Sequence, residues 1–180
     1  MLLLVGLGNP GSNYTNTRHN IGFKIIDAIN LHFKLSKQKP KFKGLLTTGN
    51  IEEKKIYAIK PLTFMNNSGT AIKELIDYFK IDAKNVIVFH DDMDIDFGKI
   101  KAKFGGSSAG HNGIESIDKF IGKEYSRVRI GIGHPKQKKK VNNHVLEDFK
   151  EDEEEKIKEI TENIVKQIPT LIDKKMDLFS

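Results

Sequence analysis

Residues 2–11 read Leu2-Leu3-Leu4-Val5-Gly6-Leu7-Gly8-Asn9-Pro10-Gly11. A short, continuous apolar run stopped by glycine suits a strand covered on both faces, as in a parallel sheet. Working outward, Ile21, Ile25, Ile26, Ile29 and Phe33 recur at helical spacing and put one apolar face on a helix. Strand, glycine turn and helix together open an α/β fold. The same ten residues also match the dinucleotide fingerprint G-x-G-x-x-G letter for letter. That fingerprint requires the glycines to open directly into a helix whose N-terminus holds pyrophosphate. Here Asn13-Tyr14-Thr15-Asn16-Thr17 intervenes, and Asp27 falls inside the helix rather than at the end of a second strand. A nicotinamide enzyme is therefore a distant reading.

The alternation continues downstream. Residues 49–51 and 56–60 read as two strands around a polar turn at 53–55, and residues 37–43, with Pro40, as a basic loop. Asn66, Asn67 and Ser68 precede Ala71, Ile72, Leu75, Ile76 and Phe79, the pattern of a capped amphipathic helix. Residues 86–89 form a further buried strand, stopped by His90-Asp91-Asp92. Lys99, Lys101 and Lys103 alternate with Ile100, Ala102 and Phe104, a half-exposed strand. A glycine-rich loop at 105–113 opens a short helix, and Val128, Ile130 and Ile132 alternate in another strand. Residues 151–168 form an acidic helix with Ile157, Ile160, Ile164 and Ile168 inward, which Pro169 should end or kink. The expectation is one α/β domain over residues 1–180, with a twisted, mixed and largely parallel sheet surrounded by helices.

Composition narrows the function. Without cysteine, thiol proteases, thiolate zinc sites and redox dithiols are excluded, and a reducing compartment such as the cytoplasm fits. No secretory leader is read at the N-terminus, and no window approaches the ~20 apolar residues of a membrane helix. The net charge of +6 points to a polyanionic partner. Arg18, Arg127 and Arg129 are the only arginines. Lysine, a hydrated point charge, supplies the rest and suits phosphate better than base edges.

The acidic run Asp91-Asp92-Met93-Asp94-Ile95-Asp96 looks metal-like but fails the EF-hand pattern. Counted from Asp92, Phe97 replaces the required glycine and Lys103 the required glutamate. Acidic turn chemistry after a strand is the commoner explanation. H-E-x-x-H, P-loop and G-x-S-x-G motifs are all missing. Among the histidines, His32 and His144 read as solvent-facing, and His90, His111 and His134 sit at element ends or in loops. His19 differs: it follows the strand–glycine unit at a helix start, with Asn9 before it, Asn20 beside it, and Asn66 and Asn112 in other loops. An imidazole, one carboxylate and several amides suffice for metal-free ester hydrolysis.

These residues belong to five blocks. Val5-Gly6-Leu7-Gly8-Asn9-Pro10-Gly11 is followed by Tyr14 and then Thr17-Arg18-His19-Asn20-Ile21-Gly22. Next come Pro61-Leu62-Thr63-Phe64-Met65-Asn66-Asn67-Ser68-Gly69 and His90-Asp91-Asp92-Met93-Asp94. Gly105-Gly106-Ser107-Ser108-Ala109-Gly110-His111-Asn112-Gly113 and Arg129-Ile130-Gly131-Ile132-Gly133-His134-Pro135 complete the set. In content and order they resemble the signature of bacterial-type peptidyl-tRNA hydrolases.

The resemblance implies His19 as general base and Asp91 as its orienting carboxylate. Asn9, Asn66 and Asn112 would bind the peptide end or reacting carbonyl. Tyr14, Phe64 and Met65 would line the site, with His111 close by. Lys103, Arg129 and Lys138 would face tRNA phosphate. No metal, cofactor or membrane contact is implied, and the expected form is a cytoplasmic monomer acting on the acceptor arm and 3′ end of peptidyl-tRNA. The rival reading is a non-catalytic RNA-binding relative that keeps the fold and the basic surface.

Overall fold

The computed structural model describes residues 1–135 and 141–173. Its frame is a seven-stranded sheet in the order β2-β3-β4-β1-β5-β7-β6. The four inner strands are β4 (Lys54–Pro61), β1 (Leu2–Gly6), β5 (Val86–Asp92) and β7 (Ser126–Gly131), all mutually parallel. Antiparallel strands flank them: β3 (Gly44–Ile51) and the short β2 (Lys39–Lys41) on one side, β6 (Ile100–Phe104) on the other. The sheet is thus mixed, with a parallel centre.

Helices cover both faces, which explains the unbroken apolar runs of the inner strands. Helix α1 (Ile21–His32) and helix α5 (Glu151–Ile172) pack over Leu2, Leu4, Ile87, Phe89, Val128 and Ile130. Helices α2 (Ser68–Phe79) and α3 (Asn112–Ile121) pack over Leu3, Val5, Tyr57, Ile59 and Val88. The glycines of the first turn serve this packing. A Cβ on Gly6 would collide with the carbonyl of Gly22, and one on Gly22 with the Leu7 amide and the Phe89 carbonyl. Two 3-10 turns, Ser12–Tyr14 and Arg18–Asn20, separate the glycines from α1, so no helix N-terminus faces the glycine turn.

Several expectations are corrected. Pro169 neither ends nor bounds α5; the helix runs on to Ile172, because Leu171 and Ile172 are buried in the α1/α5 core. Burial of two large side chains outweighs the one backbone hydrogen bond that proline forfeits. Strand β5 does not stop before His90 but carries His90, Asp91 and Asp92, paired to Arg129, Ile130 and Gly131. Residues 39–41 are an edge strand, a place where Pro40 lacks no needed donor. The start of α2 has no side-chain cap from Asn67; instead the Ser68 hydroxyl donates to the Met65 carbonyl at 2.8 Å. His144 is half-buried and its Nε2 meets the Ile132 carbonyl at 3.2 Å. It belongs to a short helix, α4 (Val141–Leu146), that periodicity did not reveal.

Candidate active site

Strands β1 and β5 lie side by side while the chain leaves them in opposite directions, toward β4 and toward β7. Such a switch point opens a crevice beyond the carboxyl ends of the strands. Asn9 follows β1 there, and Asp91 is the penultimate residue of β5. His19 enters from the 3-10 turn before α1, and His111 stands at the N-cap of α3.

Asp91 is 1% exposed and takes both imidazoles. His19 Nδ1 lies 2.7 Å from Oδ2 and 2.9 Å from Oδ1. His111 Nε2 lies 2.9 Å from Oδ1. The backbone N–H groups of Gly113 and Ile114 point at His111 Nδ1, at 3.1 and 3.3 Å. That nitrogen is therefore an acceptor, its proton resides on Nε2, and His111 donates to Asp91 as a neutral ring. Both nitrogens of His111 are occupied. His19 donates through Nδ1, and its Nε2 has no hydrogen-bond partner among the described residues, on a ring that lines two adjoining clefts.

Burial works against a charged His19, but the Asp91 charge and hydrogen bond outweigh it and raise the pKa above the ordinary imidazole value. Burial likewise opposes ionised Asp91; the two histidines prevail and hold its carboxyl well below the usual carboxylate range. His90, immediately behind, is kept neutral chiefly by burial, with the nearby Arg127 charge adding to the effect. Its ring packs edge-on to His111 at 5.1 Å between centroids.

One cleft, of about 530 Å³, is lined by Asn9, Tyr14, His19, Phe64, Met65, Asn66 and Asn112. Asn9 is held firmly. Its backbone N–H and C=O are both clasped by the Asn20 side chain, at 2.8 and 2.9 Å, and its Oδ1 accepts the Met65 amide at 2.8 Å. The Asn9 side-chain NH₂ has no hydrogen-bond partner among the described residues, and Asn9 lines the cleft beside the exposed Asn66 and Asn112. Phe64 holds a backbone φ of 60°, rare for a side chain of its size, and presents its ring edge-on to Tyr14 at 6.4 Å. A smaller cleft of about 80 Å³ runs from His19 past Asp94, Ser108 and His111. Helix α4 supplies Asn142 and Val145 to both clefts.

His19, Asp91 and His111 are also the group among the described residues whose ligating atoms lie close enough for a metal, within 4.8 Å of one another. N–H···carboxylate bonds join the three in the structure. The neighbouring acids have their own partners: Asp92 meets Arg129 at 2.8 Å, Asp94 meets His134 at 2.8 Å, and Asp96 meets Lys99 at 3.5 Å. The expected phosphate ligands differ in standing. Lys103 is exposed on β6, Arg129 is held at Nε by Asp92, and Lys138 lies outside the described residues with the rest of 136–140.

This constellation coincides with the match of residues 3–179 to the family model described as peptidyl-tRNA hydrolase. The chain belongs to the peptidyl-tRNA hydrolase family. It is 73% identical, over its whole length and 97% of the relative, to the peptidyl-tRNA hydrolase of Pelagibacter ubique. The peptidyl-tRNA hydrolase of Ehrlichia ruminantium (strain Welgevonden) is 46% identical over 98% of this chain and 91% of its own. The crystal structure of the Arg119Gln mutant of peptidyl-tRNA hydrolase from Acinetobacter baumannii superposes with a TM-score of 0.94 at 35% identity, covering 99% of this chain and 91% of that one.

Within that family site, three features went unread in the sequence. Asn20 clasps the Asn9 backbone, a pairing across eleven residues that no spacing rule announces. Arg127 is 3% exposed and anchors the glycine-rich loop by donating to the carbonyls of Gly105 and Ser107. Helix α4 carries Asn142 and Val145; the spacing of Val141 and Val145, four apart after a basic run, was its faint signal.

Proposed function

We propose that this member of the family hydrolyses the ester joining a peptide's carboxyl end to the 3′-terminal ribose of tRNA. One observation carries the reading: His19 is held through Nδ1 by a buried carboxylate, with Nε2 free on the wall of an asparagine-lined cleft. His19 Nε2 takes a proton from water as the water oxygen bonds to the ester carbonyl carbon. Asp91 fixes the tautomer and supports the imidazolium that forms. Amide N–H groups of Asn9, Asn66 and Asn112 receive the charge on the carbonyl oxygen or hold the peptide end. The carbon–oxygen bond to ribose then breaks, and the ribose oxygen takes the proton from His19. Peptide carboxylate and tRNA leave.

Tyr14, Phe64 and Met65 form the apolar side of the same cleft, suited to a terminal base or a peptide side chain. Lys103, Arg129 and Lys138 serve the acceptor-arm phosphates, which carry no sequence information and so admit many tRNAs. Among the described residues no helix is long and apolar enough to cross a membrane, and a cytoplasmic setting agrees with the absence of cysteine. No metal or cofactor enters the scheme. A non-catalytic RNA binder would have no use for a free imidazole nitrogen backed by a buried carboxylate.

The test is incubation with an N-blocked aminoacyl-tRNA beside its free-amine counterpart, in chelator. Release of the blocked acyl group alone is expected. Failure to release it would overturn the reading in favour of the binder.

A further inference from the structure

Of the three arginines in a lysine-dominated chain, Arg18 is withdrawn from any phosphate: it is 3% exposed and both Nη groups are engaged. It stands next to His19 in the same 3-10 turn. Its Nη1 donates to the carbonyl of His144 at 3.1 Å and lies 3.4 Å from Glu147 Oε2, while Nη2 meets Glu153 Oε1 at 3.1 Å. The backbone joins in. Arg18 N–H donates to the Glu147 carbonyl at 3.0 Å and Phe149 N–H to the Asn16 carbonyl at 3.2 Å, on either side of an antiparallel bridge between Thr17 and Asp148.

The partners of this one cation have different duties. His144 is in the last turn of α4, and its carbonyl also accepts the Glu147 amide at 3.3 Å. Glu153 sits in the first turn of α5, and its Oε1 also accepts the Lys150 amide at 2.9 Å. Helix α4 has six residues, far too few to hold itself. On its other side it is tied by His144 Nε2 to the Ile132 carbonyl. Its Asn142 and Val145 line both clefts that His19 borders.

We propose that Arg18 is a positioning residue that latches α4 onto the turn bearing His19, and so fixes the wall against which the acyl end of the substrate is seated. The proposal rests on the hydrolase reading above. Loss of the latch lets the wall withdraw while the His19–Asp91 pair, held from β5, keeps its geometry. Substrate placement therefore suffers before the proton transfer does.

The experiment is steady-state hydrolysis of a blocked aminoacyl-tRNA by Arg18→Lys and Glu147→Gln, alone and combined with Asn142→Ala. Glu147 is largely exposed, so Glu147→Gln keeps Arg18 paired to Glu153 and guards against simple unfolding. Each latch variant should raise KM roughly 3- to 30-fold, within the span of coupling between contacting groups, with kcat within about two-fold. The pH midpoint of kcat/KM should stay at its wild-type position. In the Asn142→Ala background most of the KM effect should vanish, because the wall it acts through has lost its polar contact. A fall in kcat with KM unchanged, a moved pH midpoint, or full additivity with Asn142→Ala would each reduce Arg18 to a structural ion pair. Failure of the hydrolase reading is separate, because wild type would then release no acyl group.

Discussion

His111 donates its Nε2–H to Oδ1 of Asp91 across 2.9 Å, while its other ring nitrogen receives the first amides of α3. One histidine thus ties the Asp91 carboxylate to a helix start. The two imidazoles on Asp91 are chemically unlike: His19 has a free nitrogen and His111 has none.

His19→Ala should therefore abolish turnover while tRNA still binds, because the lysines and asparagines remain. His111→Ala should retain measurable hydrolysis, lose about 0.5–2 kcal/mol of stability through the lost cap, and release Asp91 from one of its two donors. Single-turnover hydrolysis and equilibrium binding on both variants check this. Turnover surviving in the His19 variant and lost in the His111 variant would reverse the assignment.

The pH dependence has a definite sign. His19 acts as a base only when neutral, and Asp91 raises its pKa, so kcat/KM should climb with pH through a midpoint above the ordinary imidazole value. Asp91→Asn removes the negative charge and leaves burial, so the midpoint should move to lower pH. The plateau should fall by perhaps ~10²–10⁴, as for other carboxylate–histidine pairs. A midpoint that does not move, or a comparable loss in Asp94→Asn, would show that the wrong carboxylate was chosen.

Chelation should leave the rate unchanged. His19, Asp91 and His111 already satisfy one another by hydrogen bonds. A rate lost in chelator and restored by a divalent cation would turn the triad into a metal site.

Lys103→Ala with Lys138→Ala should weaken tRNA binding and flatten its salt dependence by up to about two units of slope. Cleavage of an acylated short oligonucleotide, which offers few phosphates, should scarcely change. Wild-type affinity that ignored salt would contradict the assignment.

Phe64→Gly offers a test of stored strain. Its φ of 60° costs a side chain of this size about 1–3 kcal/mol, and its ring is half exposed, so little burial is lost. The variant should melt no lower than wild type yet show a raised KM, having lost the ring opposite Tyr14. A lowered melting temperature would show that Phe64 is a packing residue first.

Much of this was legible beforehand, for identifiable reasons. The Leu2–Gly6 strand and the α1 face were readable because a buried parallel strand and an amphipathic helix leave local periodicities. The five blocks pointed to His19 and Asp91 together, although they stand 72 residues apart. Non-local effects left no such trace. Pro169 reads as a stop, and only the burial of Leu171 and Ile172 carries the helix past it. His144 reads as a surface residue until Ile132 and Arg18 are folded against it. The Asn20 clasp on Asn9 depends on a turn whose shape no residue spacing encodes.

Both edges of the sheet carry lysine. On β2 the sequence Lys39-Pro40-Lys41 faces outward, and on β6 Lys101 and Lys103 do. An open strand edge is a template on which a second chain can add, and a ring without an N–H between two charges spoils that template on one side as lysine does on the other. Both edges are thus composed against the zippering of one copy onto another, a colloidal safeguard. On β6 the safeguard and the proposed nucleic-acid contact fall on the same side chains. Neutralising Lys103 to weaken tRNA binding would therefore also remove part of the barrier to self-association.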